Sequence, residues 1–63
     1  NFMKTLKKLS LEEFKNKYQN KRHISCGIHF TDGTIETINN MTSAYVEYII
    51  NSSEKELKYI AIF

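Results

Sequence analysis

The chain's two histidines and its single cysteine fall within seven residues of each other, at His23, Cys26 and His29. A tetrahedral metal centre needs three or four such donors converging at about 2.0–2.3 Å. The stretch from His23 to Thr31, however, alternates strictly. Ile24, Cys26, Ile28 and Phe30 take one set of positions, and His23, Ser25, Gly27, His29 and Thr31 the other, which is the period-2 signature of a half-buried strand. On a strand Cys26 points away from both histidines, which lie roughly 20 Å apart along it. No metal or other cofactor is therefore expected, and Cys26 reads as a small buried hydrophobe.

The other pair with chemical potential is His29 with Glu36. A carboxylate opposite an imidazole can fix its tautomer and raise its basicity. A general base also needs a nucleophile and an oxyanion site, and Thr31 is the nearest hydroxyl on that face, with no glycine-rich loop or helix N-terminus beside it. The pair reads as a solvated cross-strand ion pair worth at most about 1 kcal/mol. No phosphate-binding glycine loop, Ser-His-Asp order or paired-carboxylate motif occurs, so no catalytic residue is assigned and the expected class is not an enzyme.

The elements that position these residues are legible in the same terms. Ser10-Leu11-Glu12-Glu13 is a capping box that opens a helix. Leu11, Phe14 and Tyr18 form its apolar stripe, and Asn20, tolerant of left-handed backbone, marks its end. Residues 2–6 read as a further short strand. Asp32-Gly33 fits a two-residue type I′ hairpin turn joining residues 23–31 to a return strand at 34–39. That register sets Phe30 opposite Ile35, His29 opposite Glu36, Ile28 opposite Thr37 and Gly27 opposite Ile38. The polar face bearing His23, Ser25, His29, Thr31 and Glu36 is then flat and free of apolar bulk. Asn39 or Asn40 caps a second helix with a stripe of Met41, Tyr45, Tyr48, Ile49 and Ser52, widened by Val46 and Ile50. Leu57–Phe63 reads as a final strand.

A right-handed crossover makes that last strand parallel to 34–39 and antiparallel to 23–31. The expected fold is a single α+β domain over residues 1–63, a two-layer sandwich of order α-β-β-α-β. Two helices cover one face of a mainly antiparallel sheet of three or four strands, the fourth being N-terminal. The strands run 34–39, 23–31, 57–63. The last is apolar on both sides, with Leu57, Tyr59, Ala61 and Phe63 against Ile60 and Ile62. At a sheet edge such a strand needs cover, so it is expected to form a homodimer or partner interface.

A chain of 63 residues buries only about 60% of its unfolded surface and has a correspondingly small core. One cysteine excludes an intrachain disulfide. The longest apolar run, Tyr59–Phe63, is far short of a membrane span, and the expected setting is cytoplasmic, without membrane contact. Charge is uneven: residues 1–22 carry seven Lys and Arg against Glu12 and Glu13, whereas 23–63 carry two lysines against five carboxylates. The expected function is a binding module that modulates or inhibits a larger protein partner as a homodimer. Its contact residues are Tyr59, Ile60, Ile62 and Phe63, with Tyr45 and Tyr48. The abundance of Lys, Asn and Ile resembles the product of an AT-rich bacterial or bacteriophage genome, and small phage proteins of this kind often act as inhibitors. The alternative is nucleic-acid binding through Lys15, Lys17, Lys21 and Arg22, whose phosphate contacts are salt-sensitive.

Overall fold

A computed structural model of the chain describes residues 7–63. The order is β1 (Lys7–Leu9), α1 (Leu11–Lys17), β2 (Ile24–Phe30), β3 (Ile35–Met41), α2 (Ser43–Ser52) and β4 (Leu57–Ile62). The expected strand at 2–6 lies outside the described residues. All pairings are antiparallel and the sheet runs β1-β4-β2-β3. Both helices lie on one face, as a two-layer α+β sandwich requires. The core joins Phe14, Val46 and Ile50 from the helices to Leu9, Ile24, Cys26, Ile28, Phe30, Ile38 and Ile60 from the sheet.

The capping box forms as the sequence indicates. The Ser10 hydroxyl accepts from the Glu13 N–H at 3.1 Å, and the Glu13 carboxylate accepts from the Ser10 N–H at 2.9 Å. This satisfies two of the orphaned donors of the first turn. Phe14 is fully buried and stacks on Tyr18, with ring centroids 5.5 Å apart. The helix ends at Lys17 with Tyr18 as its C-cap, short of Asn20, where the backbone then turns left-handed with φ of 59°.

The hairpin differs from the sequence expectation by one residue. Its loop is Thr31-Asp32-Gly33: the Gly33 N–H donates to the Phe30 carbonyl, the Phe30 N–H to the Thr34 carbonyl, and only Gly33 takes positive φ, at 92°. This is the three-residue loop in which a turn is followed by one left-handed residue, whereas a type I′ turn needs positive φ at both central positions. Asp32 favours it, because its Oδ1 accepts from both the Thr34 N–H (3.0 Å) and the Thr34 hydroxyl (2.6 Å). The register is thus His29 opposite Ile35, Ile28 opposite Glu36, Gly27 opposite Thr37 and Cys26 opposite Ile38. A one-residue slip sends every side chain of β3 to the other face. Glu36 stands on the helix side, Ile35 on the open side, and the His29–Glu36 pair does not exist.

Two further expectations are corrected. The strand β3 runs on to Met41 through a bulge in which Asn40 has φ of 53°, so α2 is capped by the Thr42 hydroxyl, which accepts from the Tyr45 N–H at 3.1 Å. The buried stripe of α2 is Ser43, Val46 and Ile50, while Tyr45 and Tyr48 are 37% and 63% exposed. Aliphatic side chains fill the dry side of the helix, and outward-facing phenols keep their hydroxyls hydrated. Nor is β4 an edge strand. It lies between β1 and β2, with Ile60 opposite Ile28 and Ile62 opposite Cys26 on the helix side. Ile60 is 0% exposed and belongs to the core, so it cannot anchor a partner in the folded chain.

Candidate functional site

With both helices on one layer, the other face of the sheet is open. The alternation of each strand assigns its residues: Lys8 from β1, Tyr59 and Ala61 from β4 with Phe63 just beyond, Ser25, Gly27 and His29 from β2, and Ile35 and Thr37 from β3. Three of them build a connected row. The rings of His29 and Tyr59, paired across the strands, stack with centroids 4.4 Å apart and an interplanar angle of 24°. Lys8 Nζ lies 4.8 Å from the centroid of the Tyr59 ring, within cation–π range.

Beside this row the side chains close over Gly27. A β-carbon there would stand 3.5 Å from His29 Nε2, 3.6 Å from Phe63 Cζ and 3.7 Å from Ile35 Cγ2. The absence of a side chain at Gly27 lets an imidazole, a benzyl and an aliphatic group meet above the backbone. Phe63 and Ile35 are nevertheless 62% and 56% exposed, so the cluster presents its apolar atoms to solvent. Among the described residues, no acidic side chain lies on this face. Glu12, Glu13 and Glu47 are on the helices, Asp32, Glu54 and Glu56 at turns, and Glu36 on the helix side of β3.

The structure places the sequence-derived site residues unevenly. Tyr59 and Phe63 belong to the open face. Ile60 and Ile62 lie on the helix side, Ile60 within the core and Ile62 half-buried against it. Tyr45 and Tyr48 lie on the exposed side of α2, in the other layer. Sequence reasoning placed His29 on this face, though paired with Glu36, and missed Ile35 and Lys8. Ile35 was hidden by the hairpin register, and Lys8 by the β1–β4 pairing. His23 contributes elsewhere: its Nδ1 lies 2.8 Å from Asn40 Oδ1, and the Asn40 N–H donates to the Ser25 hydroxyl at 3.1 Å, which ties down the β3 bulge. Cys26 points into the core, where burial pushes its thiol pKa up to about 11, so it is neither nucleophile nor ligand at neutral pH. Among the described residues no three His, Cys, Asp or Glu side chains converge.

The basic residues do not form one patch. Lys17 turns towards Lys7 across a shallow cavity between α1 and β1. Lys21 and Arg22 line a separate one with Asn20, Thr42, Ser43 and Ala44, and Lys15 lines neither. No helix among the described residues is long and apolar enough to cross a membrane. Comparison of the chain with protein-family models, curated proteins and solved structures returned no match.

Proposed function

We propose that this protein is a non-enzymatic binding module that modulates or inhibits a larger protein by docking on it through the open face of its sheet. The observation that carries this reading is the exposed cluster of Tyr59, His29, Phe63 and Ile35, with no acidic side chain of the described residues on its face. It joins aromatic anchors of the kind that dominate protein interfaces to hydroxyl groups of Ser25 and Thr37 and, among the described residues, to one cation, Lys8. Among the described residues the face offers one lysine, fewer cations than tracking a phosphate backbone uses. The partner surface that fits is an apolar patch with acidic groups at its border, so that the cluster is desolvated and Lys8 meets an opposite charge.

A second copy belongs to the same reading, at the outer edge of β3. Because Phe30 donates to Thr34, the ladder bonds of β3 to β2 fall at Thr34, Glu36 and Ile38, and the alternation turns the backbone groups of Ile35, Thr37 and Asn39 outward. An antiparallel copy centred on Thr37 satisfies them, with Ile35 opposite Asn39 of the second copy.

The test is capture from nuclease-treated lysate of the host cell with tagged wild-type chain and with Ile35→Glu/Phe63→Glu. One protein held in stoichiometric amount by the wild type and lost by the variant is the expected result. Capture that survives both substitutions, or that vanishes with nuclease, overturns the reading.

A further inference from the structure

A second site lies at the β1 edge of the sheet, where β1 meets α1. A single residue, Ser10, joins these elements, and its capping box fixes the angle between them. Lys7 pairs with Ile62 and alternates with buried Leu9, so its side chain leaves the sheet on the helix side. Lys17 comes down from the last turn of α1 to meet it. Between them lies a solvent-open cavity of about 450 Å³, lined by Lys7, Lys8, Leu9, Glu13, Asn16 and Lys17.

What sets this cavity apart is its charge. No carboxylate of the described residues lies within 4.0 Å of Lys7 or Lys17, the ion pair found among them being Lys55–Asp32. Glu13 is the one acid in the lining, and it is held by the Ser10 N–H. Contact with the Lys7 ammonium lowers the Lys17 pKa, an effect that Glu13 counteracts only in part. Like charges in contact destabilise one another unless an anion lies between them. The last-turn position of Lys17 is explained by the helix dipole, but that does not account for the approach of Lys7.

We infer that the cavity between β1 and α1 binds a phosphate group, bridged by the ammonium groups of Lys7 and Lys17 with the Asn16 carboxamide as an added donor. Charge-assisted hydrogen bonds to phosphate oxygens are the strong ones, and a volume of this size admits a phosphorylated small molecule as readily as one phosphodiester of a strand.

The experiment is a titration of the full-length ¹⁵N-labelled chain followed by NMR, at ionic strength held constant with sodium chloride. Inorganic phosphate is used in one arm and single-stranded oligothymidylate in the other. Saturable shifts at Lys7, Asn16 and Lys17 are expected, weakened at least about tenfold in Lys7→Gln/Lys17→Gln and unchanged in Lys15→Gln, whose side chain lines no part of the cavity. Saturation by phosphate alone assigns a small phosphorylated ligand, and saturation by the oligonucleotide alone assigns a phosphodiester. Either supports the site. Absence of saturable shifts in both arms, or equal affinity in the double variant, overturns it. The double variant alters two exposed side chains, and retained spectral dispersion reports that it is folded. The open face is untouched, so failure here leaves the docking reading unaffected.

Discussion

Truncating Ile60 and Ile35 to alanine in separate variants tests the face assignment on which the functional reading stands. Ile60 is 0% exposed and packs in the core, whereas Ile35 is 56% exposed on the opposite side of the same sheet. Removing a buried isoleucine costs about 2–5 kcal/mol through lost transfer energy and residual cavity. A domain of 63 residues has roughly 3–9 kcal/mol of total stability at the usual 0.05–0.15 kcal/mol per residue. Ile60→Ala therefore removes a large share of it and lowers Tm by at least about 8 °C, at about 4–8 °C per kcal/mol for this size. Ile35→Ala, at an exposed position, stays within about 0.5 kcal/mol. Urea denaturation followed by circular dichroism measures both. Had the hairpin a two-residue loop, Ile35 would face the helices and its truncation would cost as much as that of a core residue. Comparable losses for the two variants would refute the register, and with it the composition of the open face.

Three further outcomes follow from particular residues. Gly33→Ala costs about 1 kcal/mol or more through positive φ alone, since nothing lies within 4 Å of the added carbon. Gly27→Ala, whose β-carbon meets neighbours at ordinary contact distances, is neutral or mildly stabilising, and the two differ measurably in denaturation midpoint. The Cys26 thiol holds its proton to about pH 11 when folded, from a usual value of 9.0, so between these pH values the unfolded chain binds fewer protons. Stability therefore falls as pH rises from about 9 to 11, by up to about 3 kcal/mol, and a Cys26→Ala variant should lose that part of the slope. Finally, light scattering is expected to give twice the 7.4 kDa chain mass, and Thr37→Pro, which removes an outward N–H and spares the bonds to β2, should give a monomer. A wild-type monomer removes the β3-edge pairing.

The sequence carries the fold further than the site. Ser10 and Glu13 announce α1, the alternation from Ile24 to Phe30 announces β2 and its inward face, and the crossover rule puts the last strand antiparallel beside it. These signals are local or topological and survive in the structure. The site depends on register, which a single loop residue decides. Asp32-Gly33 fits both a two-residue turn and the end of a three-residue one, and only the Thr34 contacts of Asp32 select the latter. That choice put Ile35 in place of Glu36 on the open face, while the aromatic rings beside it come from β4. The edge position assumed for β4 failed for a different reason. Lys7–Leu9 is only three residues long and two of them are lysines, which is too little periodicity to reveal a strand that covers β4.

The central place of β4 has a kinetic consequence. The β2–β3 hairpin closes over a three-residue loop and can form within microseconds, but β1 touches the rest of the sheet only through β4, with Lys7 opposite Ile62 and Leu9 opposite Ile60. Those contacts span more than fifty residues of chain, and such distant pairings slow the search for the native state. The hairpin's contacts are local, whereas the complete sheet depends on β4 pairing with β1 and β2 at once. Because β4 is hydrogen-bonded to β1 on one side and β2 on the other, a destabilising substitution in it loosens both halves of the sheet together and not one edge alone.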